Sequence, residues 1–246
     1  MALPRITTPK YQLTLPSTGN VLNYRPFLVK EEKILLLALE TEKEETIMNA
    51  VADIIDSCVS EKVNAKTLPM FDLEYIFLQL RAKSKGEEID LEIECQECKN
   101  PISFNVNLMN VGVKTEKEHT NKIELTDNIG IIMKYPSIES KIGMEENGSD
   151  SDVEMIFTSL VSCLETIWDK DSTYPAKDHT KEELHEFFES LPDTEFQKIK
   201  EFFNTMPKLS HEVELKCNFK TGKGKDKKVC GWKDKKVLEG LQSFFG

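Results

Sequence analysis

The sequence predicts an α+β protein in which helical subdomains alternate with small antiparallel β segments. Three observations lead there. Apolar residues recur at helical spacing in residues 28–86 and again in 137–208, the period that sets one stripe of a helix against a core. In 87–136 and 209–246 apolar and polar residues alternate one by one, the period of a half-buried strand. Proline- and glycine-bearing breaks separate the blocks.

Residues 1–27 read as an extended arm. Pro4, Pro9, Pro16 and Pro26 exclude a helix, and Ser17-Thr18-Gly19-Asn20 reads as a turn. Tyr11, Leu13, Leu15, Val21, Leu22, Tyr24 and Phe27 make this arm apolar enough to dock on a surface. The 28–86 block then holds three helices. The first runs from Lys30 through Leu39 and is rich in Glu, Lys and Leu, all good helix formers. The second places Ile47, Val51, Ile54, Ile55 and Cys58 on one face, and the third starts near Asp72 and ends near Lys83.

In 87–136, Ile89, Leu91 and Ile93 alternate with acidic residues; Phe104, Val106 and Leu108 repeat the pattern, as do Ile123 and Leu125, and a last strand covers 129–135. After an acidic loop at 145–151, the stripe Val153, Ile156, Leu160, Cys163, Leu164 and Ile167 predicts one continuous helix. Thr180 and Glu183 have capping-box spacing, so a helix begins there. Pro192 opens another, carrying Phe196, Ile199 and Phe203, and Pro207 ends it. Phe187, Phe188, Phe202 and Phe203 read first as core and second as contact residues. Strand character returns at Val213, Leu215 and Val229, before an apolar tail at 237–245.

Hydrophobic residues are 39% and charged residues 30%, which excludes wholesale disorder. The longest apolar run, 34–39, is far too short to span a bilayer. The first residues lack the basic-then-apolar order of a signal peptide, so the chain is expected to stay in the cytoplasm where it is made. A net charge of −11, from 43 acidic and 32 basic side chains, disfavours nucleic-acid binding, which normally uses a basic surface. It favours protein partners and solubility.

Six cysteines without an export signal argue against disulfides. Cys95-Gln96-Glu97-Cys98 lies between two predicted strands, the layout of a zinc-ribbon knuckle in which a tight turn offers two thiolates. Cys217 and Cys230 form a second pair, and Leu91-Glu92-Ile93-Glu94-Cys95 resembles Glu212-Val213-Glu214-Leu215-Lys216-Cys217. Twelve residues separate the second pair, with a lysine-rich run between them that reads as a hairpin whose base joins the two cysteines. The four together are the candidate ligands of one structural Zn2+; the alternative is a plain turn and ordinary core thiols. Cys58 and Cys163 lie on apolar helix faces and read as core.

Nothing points to catalysis. His185-Glu186-Phe187-Phe188-Glu189 has Glu189 where a helical metalloprotease motif needs its second histidine. Phosphate loops, dinucleotide fingerprints and nucleophile elbows are missing from the sequence. The lysine run from 222 to 236 reads as a solvated loop, with nucleic acid or an acidic protein surface as the alternative.

Two long motifs carry a family resemblance. Tyr24-Arg25-Pro26-Phe27-Leu28-Val29-Lys30-Glu31-Glu32-Lys33-Ile34-Leu35-Leu36 and Leu68-Pro69-Met70-Phe71-Asp72-Leu73-Glu74-Tyr75-Ile76-Phe77-Leu78-Gln79-Leu80-Arg81 resemble signatures of the baseplate-hub assembly proteins of T4-type contractile-tailed bacteriophages. Lys83-Ser84-Lys85-Gly86-Glu87 with the Cys95/Cys98 turn, Phe202-Phe203-Asn204-Thr205-Met206-Pro207-Lys208-Leu209 and the tail at 240–245 continue the likeness along nearly the whole chain. The resemblance implies a closely spaced second cysteine pair, from which this sequence departs. It also implies a non-catalytic assembly factor, a chaperone or scaffold, for the central baseplate hub, with hub and tape-measure proteins as partners. Two alternatives stand beside it: a permanent hub subunit in the virion tail, and a zinc-ribbon nucleic-acid binder. Tyr24, Arg25 and Phe27 of the arm and Phe244 and Phe245 of the tail are the candidate partner contacts.

Overall fold

The computed structural model describes residues 6–140, 152–221 and 228–244. It is α+β, with short helices and small antiparallel sheets. The acidic loop expected at 145–151 lies outside the described residues, and so does the central part of the lysine-rich run, 222–227.

The chain opens with a hairpin, β1 (Tyr11–Thr14) against β2 (Val21–Tyr24). Leu13, Leu22 and Tyr24 are buried on its inner side, so the proline-punctuated segment is a paired element closed into the core. Asp72 holds its turn: this carboxylate, wholly buried, accepts the Ser17 N–H at 3.1 Å and the Ser17 hydroxyl. Three helices come next, α1 (Val29–Leu39), α2 (Glu44–Cys58) and α3 (Met70–Lys85). α3 is buried on nearly all sides, with Phe71, Leu73, Ile76, Phe77, Leu78, Leu80 and Ala82 inside, because α2, a strand of the later sheet and the C-terminal tail all pack on it.

A second hairpin, β3 (Glu88–Glu94) and β4 (Pro101–Asn107), precedes the short β5 (Gly112–Lys114). The next strands, β6 (Lys122–Glu124) and β7 (Gly130–Met133), belong to a different sheet. It is completed after α4 (Asp152–Cys163) by β8 (Leu164–Trp168) and β9 (Thr173–Pro175), in the order β6-β7-β8-β9. The continuous helix expected through Ile167 therefore stops at Cys163. Thr166, Ile167 and Trp168 are β-formers, and β7 supplies a strand edge that pairs with them, so tertiary pairing overrides the helical period. Helices α5 (Lys181–Glu189) and α6 (Asp193–Thr205) pack on this sheet. Thr180 and Glu183 form the expected capping box, with Glu183 N–H donating to Thr180 Oγ1 at 3.2 Å and Thr180 N–H to Glu183 Oε2 at 2.9 Å.

Finally β10 (Lys208–Lys216) returns to pair with β5 and with β13 (Lys233–Glu239), and a 3-10 turn, Leu241–Phe244, closes the chain. Between them β11 (Lys220–Thr221) and β12 (Lys228–Val229) form a minimal hairpin.

These segments gather around three apolar clusters. The main core joins the N-terminal hairpin, α1–α3, β3, β4, β10, β13 and the tail. A second contains Ile123, Ile131, Met133, Leu160, Leu184, Phe188, Ile199 and Phe202, all from residues lying between β5 and β10. The third is small: Cys95, Ile102 and Cys217, with Cys98, Cys230 and Trp232 against them. No helix among the described residues is long and apolar enough to cross a membrane.

Gly130 shows how tightly the second core is set. A Cβ there would fall 2.6 Å from the Ile123 carbonyl oxygen and into the Trp168 indole, and a backbone atom cannot rotate away. Gly130→Ala is therefore expected to destabilise the protein by about 2 kcal/mol or more. A urea titration followed by far-ultraviolet circular dichroism checks this; an unchanged midpoint refutes it.

Candidate metal centre

Each half of the cysteine site is the tip of a hairpin. β3 leads into Cys95 and β4 leaves after Cys98; β10 leads into Cys217 and β13 begins after Cys230. The two tips share one hydrogen-bond pattern. In the first, Cys95 N–H donates to the Asn100 carbonyl at 2.9 Å and Lys99 N–H to the Cys95 carbonyl at 2.9 Å. In the second, Cys217 N–H donates to the Trp232 carbonyl at 2.8 Å and Gly231 N–H to the Cys217 carbonyl at 3.0 Å. The residue after the second cysteine has a left-handed backbone in both, Lys99 at φ 60° and Gly231 at φ 70°, a conformation easy for glycine and less so for lysine. The long spacing of the second pair is absorbed between its cysteines: Lys220 pairs with Val229, Thr221 with Lys228, and Cys230 N–H donates to the Phe219 carbonyl at 2.8 Å. The insert leaves the knuckle as a hairpin, and its base joins Cys217 to Cys230.

The tips meet so that all four Sγ atoms lie within 4.8 Å of one another. Cys95 faces Cys230 at 3.9 Å and Cys98 faces Cys217 at 3.6 Å. A tetrahedron with zinc–sulfur bonds of about 2.3 Å has sulfur–sulfur edges of about 3.8 Å, so these separations fit metal-bridged thiolates and are much too long for disulfides. All four are free thiols. Cys95 and Cys217 are buried, and Cys98 and Cys230 are half-buried. Backbone N–H groups two residues further on, those of Asn100, Phe219 and Trp232, address the sulfurs of Cys98, Cys217 and Cys230. Such donors favour thiolate. The Asn100 side chain and N–H hold the Cys98 thiol down at about 6. At Cys217 the Phe219 N–H acts in the same direction, but burial and the neighbouring thiols outweigh it and push the group up to about 12. Four sulfur donors leave no open coordination position, which is the donor set of a structural rather than a catalytic centre.

The comparisons with known proteins cover nearly the whole chain. The family model described as "T4 bacteriophage base plate protein" matches residues 8–246. The chain belongs to the T4 bacteriophage base plate protein family. The chain is also similar to the baseplate hub assembly protein gp26 of Enterobacteria phage T4, 24% identical over 236 residues that cover 96% of this chain and 98% of that relative. No solved structure matches the chain with significance.

In this base plate protein the other candidate residues fall mostly inside. Tyr24, Phe27 and Phe244 are buried members of the main core. Tyr24 burial pushes its phenol up to about 12, and Phe27 stacks on Phe77 with ring centroids 6.5 Å apart. Arg25 is partly exposed but engaged, donating to Glu31 Oε1 at 2.8 Å. Phe245 lies outside the described residues. Cys58 and Cys163 are buried, as expected, and burial raises the pKa of both thiols. His185 faces Glu189 at 3.5 Å on the surface of α5, a helix-face pair. Sequence reasoning missed Lys99, Asn100 and Trp232, which complete the knuckles; their signal is the equivalent position of Lys99 and Gly231, each directly after a second cysteine.

Proposed function

We propose that this protein is a non-catalytic assembly factor for the central baseplate hub of a contractile phage tail, a chaperone or scaffold that binds hub and tape-measure proteins in the host cytoplasm, and that Cys95, Cys98, Cys217 and Cys230 hold one structural Zn2+. The match to a protein named as a baseplate hub assembly protein, over 96% of this chain and 98% of that relative, supports the first part. The four converging sulfurs carry the second. Bound there, zinc supplies a crosslink and no reactive position. Its ligands tie together two hairpins that both pack into the main core although their cysteines lie 119 and 135 residues apart in the chain.

Pull-down from infected cells, followed by comparison with finished tails, tests the assembly reading. Co-purified hub proteins with absence from mature tails support a chaperone. Stoichiometric presence in mature tails makes it a permanent subunit, and salt-sensitive binding to DNA or RNA in place of hub proteins makes it a nucleic-acid binder. Elemental analysis of the purified protein is expected to give one zinc per chain. Trace zinc with all six cysteines reduced defeats the metal proposal.

A further inference from the structure

Helix α1 faces the wrong way for an ordinary surface helix. Its buried residues are Glu31, Leu35 and Ala38, so one of its three interior positions is a carboxylate. Four of its six large apolar side chains point out, while Leu35 and Leu39 pack on the main core: Val29 is 81% exposed, Leu37 53%, Leu36 50% and Ile34 45%. A helix that carries more large apolar side chains outside than inside is covered by something in its working state.

The charges on the same face indicate what covers it. At 3.6 residues per turn, Val29, Lys33, Leu36, Leu37 and Glu40 fall within an outward arc of about 100°. Lys33 and Glu40 are exposed, and neither has an ion-pair partner among the described residues. Leu36 and Leu37 lie at the middle of the Lys33-to-Glu40 interval. An antiparallel pair of α1 helices, related by a two-fold axis between Leu36 and Leu37, therefore sets Leu36 of each copy on Leu37 of the other and Lys33 of each opposite Glu40 of the other. A two-fold contact is self-complementary by necessity, and this face has the reciprocal order of charge that such a contact demands. A parallel pair would oppose Lys33 to Lys33.

We infer that α1 is a self-association surface: two copies of this chain pair through an antiparallel α1–α1 contact, with Leu36 and Leu37 at its centre and reciprocal Lys33–Glu40 ion pairs at its ends. The contact is independent of the metal and of the identity of any hub partner. An eleven-residue helix presents a small interface, so the pair is reversible, with a dissociation constant on the order of micromolar.

Sedimentation equilibrium of the full chain from low micromolar to hundreds of micromolar tests it. The expected result is a concentration-dependent monomer–dimer equilibrium. Leu37→Glu, on an exposed position, should leave the far-ultraviolet circular dichroism unchanged and weaken dimerisation at least tenfold. Lys33→Glu and Glu40→Lys should each weaken it, and the double exchange K33E/E40K should restore it, since both ion pairs re-form with reversed sign. That rescue distinguishes self-pairing from docking of another protein, whose own charges would not have been exchanged. A chain that stays monomeric at all concentrations overturns the inference, as does a dimer indifferent to Leu37→Glu or one that the double exchange fails to restore. Loss of hub-protein capture by Leu37→Glu in a chain that is monomeric throughout would give the face to that partner instead.

Discussion

Cys98→Ser is expected to destabilise this protein by roughly 4 kcal/mol, far more than replacing a half-buried thiol by a hydroxyl should cost on its own. The figure comes from the loop that the site closes. Cys98 and Cys217 are 119 residues apart and Cys95 and Cys230 are 135 apart, and a crosslink closing about a hundred residues removes about 4.7 kcal/mol of unfolded-chain entropy in the chain-entropy model. A metal clasp at the same place acts on the same ensemble, and losing one of four ligands releases it. If the cluster is only four neighbouring thiols, the substitution costs less than about 1 kcal/mol, the usual range for a change outside a tightly packed core. Urea titrations with and without a chelator separate the two. In the zinc-bound case, the chelator lowers the wild-type midpoint to that of Cys98→Ser and leaves the variant unchanged. Adding Cys217→Ser to Cys98→Ser then costs little more, because the ligands act as one unit. Trp232, packed against the cluster, reports the local change by fluorescence. Equal chelator effects on wild type and variant would count against the clasp.

The parts of the fold that were legible in the sequence are those set by local periodicity. Ile89, Leu91 and Ile93 alternate because one face of β3 is against the core, and Thr180 with Glu183 marks a helix start through bonds spanning three residues. What escaped depends on partners distant in the chain. Leu164 to Trp168 continues an apolar stripe, and only the edge of β7, more than thirty residues earlier, makes it a strand. Tyr24, Phe27 and Phe244 look adhesive because they flank the folded blocks, but they are buried in the main core that surrounds most of α3. The cysteine cluster was half legible. Two cysteines in a C-x-x-C turn announce a knuckle, whereas twelve residues between the others do not, because spacing cannot reveal that the excess forms its own hairpin and leaves the knuckle bonds intact. The outward face of α1 was hidden in a segment that reads simply as a good helix. An apolar run from Ile34 to Leu39 has no direction until the buried side is known, and here that side contains Glu31.

That buried glutamate leads to the second large effect: Arg25→Ala is expected to cost about 2–3 kcal/mol at neutral pH, and much less in acid. Glu31 is 2% exposed. Its Oε1 accepts from Arg25 at 2.8 Å and from the largely exposed Lys30 at 3.3 Å, and its Oε2 caps the Leu28 N–H at 2.8 Å. Arg25 also donates to the carbonyls of Pro26 and Ser57, both at 3.0 Å, so one guanidinium ties the end of β2 to the start of α1 and the end of α2. Breaking a buried pair from one side leaves the other charge stranded at about 3–5 kcal/mol; the partial exposure of Arg25 and the remaining Lys30 contact reduce that. Burial pushes the Glu31 carboxyl up, but the Arg25, Leu28 and Lys30 hydrogen bonds outweigh it and hold the pKa below the usual 4.5. A carboxylate depressed in the folded state contributes stability that is present above its unfolded pKa and lost as pH falls through the folded one. Without Arg25 the balance tips toward burial, the folded pKa rises, and protonation relieves the variant as the pH drops. Wild type and Arg25→Ala should therefore differ most near pH ~7 and converge toward pH ~4, and Glu31→Gln added to Arg25→Ala should recover part of the loss at neutral pH. Urea midpoints at the two pH values decide it. A deficit that is the same at both, and untouched by Glu31→Gln, would mean that Arg25 acts through its carbonyl contacts and that the buried carboxylate is not what it neutralises.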